Sequence, residues 1–137
     1  MNIYLDIDGV LIHDSLAKNG TPANYAVEFL RAITSKHNCF WLTTHCRGGE
    51  NNAPEFLANK LPLIAKEYLK KIQPTDWNSW KTEAIDFSQD FRWIDDETYD
   101  PELKDLRKHD CEEKLIFVNL QKDPNQLREI ISTLEIS

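Results

Sequence analysis

The sequence predicts an α/β fold, a mostly parallel central sheet sandwiched between layers of helix, and three observations lead there. Short apolar runs recur along the chain and stop at polar residues, segments with apolar residues at helical spacing separate them, and 137 residues suffice for one core around one sheet. Strands separated by helices cannot be joined by tight hairpins, so they pair in parallel and the helices cover both faces.

Ile3 to Ile7 alternates apolar residues around Tyr4 and stops at Asp8-Gly9, the signature of a buried strand entering a loop. Thr21-Pro22 reads as an N-cap with a first-turn proline, and Ala26, Phe29, Leu30 and Ile33 continue at helical spacing to about Lys36-His37. Cys39 to Leu42 is the second strand, closed by Thr43-Thr44, and Pro54 opens a helix through Phe56, Leu57 and Leu61. The stretch from Pro62 to Pro74 predicts a short strand, and a helix is expected from about Ser79 to Phe87. Phe91 to Ile94 is a further buried strand ending at Asp95-Asp96, and Asp100-Pro101 opens a polar helix to about Lys108. Leu115 to Val118 is the last strand. Asp123-Pro124-Asn125-Gln126 has the capping-box layout, ahead of a helix with Leu127, Ile130, Ile131 and Leu134 on one face. The whole is a single Rossmann-like domain over 1–137, with no repeat or linker to divide it.

Composition narrows the function classes. Apolar residues are 41% and charged residues 28% of the chain, which excludes a disordered or fibrous protein. No apolar run approaches the ~20 residues that cross a bilayer, and the N-terminus lacks the basic-then-apolar layout of a signal peptide, so no membrane association and a cytoplasmic location are expected. Cys39, Cys46 and Cys111 are widely spaced and read as buried apolar residues, not as a disulfide framework or zinc site. The net charge of −7, without a Lys/Arg block, disfavours non-specific nucleic-acid binding, whose affinity comes from neutralised phosphates.

In open parallel sheets, ligands bind beyond the carboxyl ends of the strands, so the residues just after the strands are the chemical candidates. Asp6-Ile7-Asp8-Gly9 places two carboxylates on one side of a strand end, with a glycine that lets the chain turn beside them. Alone the string is equally a strand ending in solvated acids. Its weight comes from residues further along the chain, in order: Thr43 closing the second strand, Lys81 near the start of a later helix, and Asp95-Asp96 closing another buried strand. Period-2 geometry lets only one of Thr43 and Thr44 face the site, and Thr43 is the choice. Thr44, His45 and Arg47, with Trp77 and Trp80, lie near enough in sequence to line a substrate entrance.

An acid pair, a hydroxyl, a lysine and a second acid pair in this order resemble the four motifs of the haloacid dehalogenase superfamily, over nearly the whole chain. With 34 residues between Asp8 and Thr43 and 37 between Thr43 and Lys81, the chain is similar to the capless members, which lack a substantial cap domain. The run from Trp41-Leu42-Thr43-Thr44 to Ala58-Asn59-Lys60-Leu61-Pro62 is also similar to the domain of this type in RNA-repair proteins.

The resemblance implies a Mg²⁺-dependent phosphatase with Asp6 as the nucleophile that forms an aspartyl-phosphate and Asp8 as general acid and base. It implies Mg²⁺ held by Asp6, the Asp8 backbone carbonyl and the Asp95-Asp96 pair, with Asp96 direct and Asp95 direct or through water. Thr43 and Lys81 would meet the phosphoryl oxygens. An uncovered site favours a bulky phosphoester as substrate, such as a nucleic-acid phosphate end. A phosphotransferase with an acceptor other than water would use the same residues. A non-catalytic binding module is the other reading, and the intact set of Asp6, Asp8, Thr43, Lys81 and Asp96 argues against it. A two-component receiver domain is excluded by order, because its acid pair comes first and its phosphorylated aspartate ends the third strand.

Overall fold

The computed structural model describes residues 1–136. Its centre is a five-stranded sheet made of β1 (Asn2–Leu5), β2 (Asn38–Trp41), β3 (Ile72–Gln73), β4 (Phe91–Asp95) and β5 (Leu115–Phe117). The order is β3-β2-β1-β4-β5, and every neighbouring pair is parallel. β1 is central, with Leu5 opposite Trp41 on one side and Ile94 on the other. Ile3, Tyr4 and Leu5 are all buried, as are Trp93 and Ile94, so both faces of these strands are covered.

The helices are α1 (Ala26–Lys36), α2 (Ala53–Ala58), α3 (Ala65–Leu69), α4 (Asp100–Lys108) and α5 (Gln126–Ile136). α1 buries Ala26, Phe29, Leu30 and Ile33, the stripe expected from sequence, and packs against α3 and α5. α4 packs against two 3-10 turns, Lys81–Ala84 and Glu112–Lys114. From β1 the chain moves outward to β2 and β3, then returns to the far side of β1 for β4 and β5. The chain thus leaves β1 in opposite directions on its two sides, and in open parallel sheets such a switch point opens a crevice at the strand ends, here between β1 and β4. Among the described residues no helix is long and apolar enough to cross a membrane.

The strand expectations hold to within a residue or two, including a short β3 in the ambiguous stretch. Three expectations are corrected. The first helix starts at Ala26 and not at Pro22, because Pro22 bridges Ile12 and the Thr21 carbonyl accepts the His13 N–H; Tyr25, at φ 64°, then turns the chain into the helix. The helix expected over Ser79–Phe87 is only the 3-10 turn Lys81–Ala84. At 123–126 the Gln126 side chain accepts from the Asn119 N–H (2.7 Å) rather than closing a capping box on Asp123. Helix α3 has no counterpart among the expected elements.

Candidate active site

Asp6 is the first residue past β1, and its N–H is tied to the Ile94 carbonyl of β4 at 3.0 Å. The chain then turns back on itself: the Ile7 carbonyl accepts from Val10, Leu11 and Ile12, and the Gly9 N–H donates to the Ile12 carbonyl at 2.8 Å. Gly9 sits at φ 81°, and a Cβ there would lie 1.9 Å from Asp96 Oδ2. Only glycine permits both that backbone and the approach of the two loops.

The crevice between β1 and β4 gathers Asp6, Asp95 and Asp96, each with a carboxylate oxygen within 4.8 Å of the others. Lys81 enters from the 3-10 turn, with Nζ 2.6 Å from Asp95 Oδ2 and 3.4 Å from Asp6 Oδ2. Asp95 is fully buried and its oxygens are engaged by protein donors: Trp93 Nε1–H at 3.1 Å and Lys81 on Oδ2, the Glu97 N–H at 3.1 Å on Oδ1. Asp96 is only partly buried.

Lys81 pairs with two of the three carboxylates, Asp6 and Asp95, and the proton affinities reflect the shortfall of positive charge. Burial pushes Asp6 well above the usual carboxylate range, the charge of Asp95 pushes it further, and Lys81 opposes both. Asp96 is pushed up to about 6, by burial and then by Asp95. For Lys81, burial works against the charged form, but the attraction of Asp6 and Asp95 outweighs it and raises its pKa.

Asp8 lines the same cleft, with 42% of its side chain exposed, and its Oδ2 lies 3.0 Å from His45 Nε2. The His45 ring packs on Phe56 at 4.0 Å between centroids, tilted by 32°, which holds the imidazole against the carboxylate. His45 therefore touches Asp8 instead of lining the cleft. Thr43 is fully buried and its Oγ1 accepts the His45 N–H at 3.4 Å, whereas Thr44 lines the cleft. β2 ends at Trp41 and Thr43 serves as the cap of the next 3-10 segment, so of the two threonines it is Thr44 that lines the cleft.

Asp6, Asp8, Thr44, Arg47, Lys81, Asp95 and Asp96 all line one cleft of about 400 Å³. The same cleft is lined by Trp77, Trp80, Tyr99 and Glu102. Glu102, 2% exposed, accepts the Lys81 N–H at 2.8 Å and the Tyr99 N–H at 3.0 Å, and so braces the loop that delivers the lysine. Sequence reading missed Tyr99, Glu102 and the His45–Asp8 pair. Glu102 had a local signal, since it stands three residues after the residue preceding a helix.

Comparisons of the chain with protein-family models, with curated proteins and with solved structures return no match.

Proposed function

We propose that the protein is a Mg²⁺-dependent phosphatase that hydrolyses phosphomonoesters through an aspartyl-phosphate on Asp6. The observation that carries this reading is the convergence of Asp6, Asp96 and Lys81 at one crevice, with the partly exposed Asp8 two residues from Asp6. An Asp6 carboxylate oxygen bonds to phosphorus as the ester P–O bond breaks, and the departing oxygen takes a proton from protonated Asp8. Water then attacks the phosphoryl group, Asp8 takes its proton, and the P–O bond to Asp6 breaks to release phosphate. Partial exposure lets Asp8 exchange protons with solvent, and the His45 ring keeps its carboxylate in place. Lys81 offsets negative charge beside Asp6, and the Thr44 hydroxyl is available to phosphoryl oxygens.

The donor set fits a hard, oxygen-liganded dication. Asp6 and Asp96 would hold it directly, while Asp95, whose oxygens are already taken by Lys81, Trp93 and Glu97, orients the lysine. The chemistry that Mg²⁺ supplies when bound is neutralisation of the carboxylates and polarisation of the phosphoryl oxygens. The direct test of the reading is phosphate release from p-nitrophenyl phosphate by the folded protein, expected with Mg²⁺ and abolished by chelation. Release that ignores chelation, or none in the presence of Mg²⁺, speaks against it.

The pKa directions add a second expectation. Asp6 and Asp96 are raised in the folded protein, so the stability they contribute without metal is full at low pH and is lost as the pH climbs through about 6 for Asp96. Protons and Mg²⁺ compete for the same oxygens. Thermal denaturation should therefore show little Mg²⁺ stabilisation at a pH well below that value. Well above it, stabilisation should reach about 2.7 kcal/mol once Mg²⁺ stands at ~100 times its Kd. Equal shifts at both pH values would place the ion elsewhere.

A further inference from the structure

We infer that the wall formed by Trp80 and Tyr99 is a leaving-group subsite, and that the preferred substrates are phosphomonoesters whose leaving group carries a nucleobase, as in a nucleoside monophosphate. The inference rests on the phosphatase reading for its phosphoryl end and on separate observations for its ring end. Trp80 is 37% and Tyr99 53% exposed, and their rings meet at 6.0 Å, tilted by 51°, on the wall of the same cleft that contains Asp6. Large aromatic faces left in water lose the burial that usually stabilises them, and a planar ring laid on them restores it.

The wall is built and held. The exposed Glu83 carboxylate accepts the N–H groups of Asn78, Ser79 and Trp80 at 3.0, 3.1 and 2.9 Å, and Arg47 Nε–H donates to the Asn78 carbonyl at 2.6 Å. On the other side, buried Glu102 ties the backbone of Tyr99 to that of Lys81, the residue after Trp80. One buried carboxylate thus sets the spacing between the two rings and the lysine beside Asp6. A binding surface whose rings are fixed in advance loses little conformational entropy when a ligand stacks on it.

Charge selects the kind of ring. Asp14 and Glu97 also line the cleft, so a leaving group with further phosphates adds like charge there, whereas a nucleoside is neutral. Stacking also tolerates any base, because every base has a π face. A purine, with the largest face, is the best probe.

The test compares adenosine 5′-monophosphate with ribose 5-phosphate, which share the scissile 5′ ester and differ in the base. The wild type with Mg²⁺ should show kcat/KM about 5- to 150-fold higher for the nucleotide, the range that base–aromatic stacking gives. Trp80→Ala should bring that ratio to within about 2-fold, Trp80→Phe should restore most of it, and Tyr99→Leu should lower it. A wild-type ratio near one, or a ratio that Trp80→Ala leaves intact, overturns the subsite. Calorimetric binding of the same two esters to Asp6→Asn separates this from failure of the phosphatase reading. Tighter, Trp80-dependent binding of the nucleotide, together with a wild type that turns over neither ester, keeps the subsite and removes the phosphatase. Equal binding of both esters, or none, removes the subsite whatever the turnover.

Discussion

Asp6→Asn is expected to abolish phosphate release, by about 10⁴-fold or more, the scale on which removal of a nucleophile acts, while leaving the protein folded and more resistant to denaturation near neutral pH. The two halves come from one cause. Asp6 is 6% exposed and faces Asp95 across the crevice, so its ionised form is disfavoured by burial and by like charge. Asparagine resembles the neutral acid in shape, and a group whose folded pKa is raised destabilises the fold when it is ionised. Neutralising it therefore stabilises the metal-free protein above that pKa, as expected where a functional residue is held against its preference. Parallel measurement of turnover and chemical denaturation checks both. An active Asp6→Asn protein, or an inactive one that is also destabilised, contradicts the reading of Asp6 as a strained nucleophile.

Lys81→Met is expected to have the largest cost in stability at the site, about 3–5 kcal/mol, as when one partner of a buried pair is removed. The Lys81 side chain is 12% exposed and its partner Asp95 is fully buried, so the substitution leaves a carboxylate with only the Trp93 and Glu97 N–H groups. Turnover should fall as well, by about 10²–10³-fold, because Lys81 also offsets charge beside Asp6. Adding Asp95→Asn to Lys81→Met should recover most of the stability and none of the turnover. A single-variant loss below about 1 kcal/mol, the value for a solvent-screened surface pair, would show that water reaches the pair.

The strands and the site were legible for different reasons. β1, β2, β4 and β5 announce themselves as apolar runs because both faces of a parallel sheet are covered, and the acids that end β1 and β4 could be placed together because chemistry gathers at strand ends. Where local signals misled, another part of the chain had claimed the signalling group. Thr21-Pro22 has the chemistry of a helix start, yet it is spent on bridging Ile12 and His13, and the helix waits for Tyr25. The Glu83 carboxylate is taken by the N–H groups of Asn78, Ser79 and Trp80, and of the helix expected from Ser79 only the 3-10 turn Lys81–Ala84 forms.

Pairings across long sequence separations left no trace in the chain. His45 meets Asp8 across 37 residues, and Glu102 meets Lys81 across 21. Neither could be read from spacing, since each depends on which loops the sheet order brings together. Thr43 and Thr44 differ by one position, and the choice turned on where β2 stops, the least legible feature of a short strand.

The measurement closest to the central claim is chemical trapping of the covalent intermediate. The protein is mixed with Mg²⁺ and a phosphomonoester, quenched in acid during turnover and treated with borohydride, which reduces an acyl phosphate but not a free carboxylate. Peptide mass spectrometry is then expected to find homoserine at position 6 and an unchanged aspartate at positions 8, 95 and 96. Reduction at one of those three positions, or none at position 6 while the ester is being consumed, would contradict an aspartyl-phosphate on Asp6.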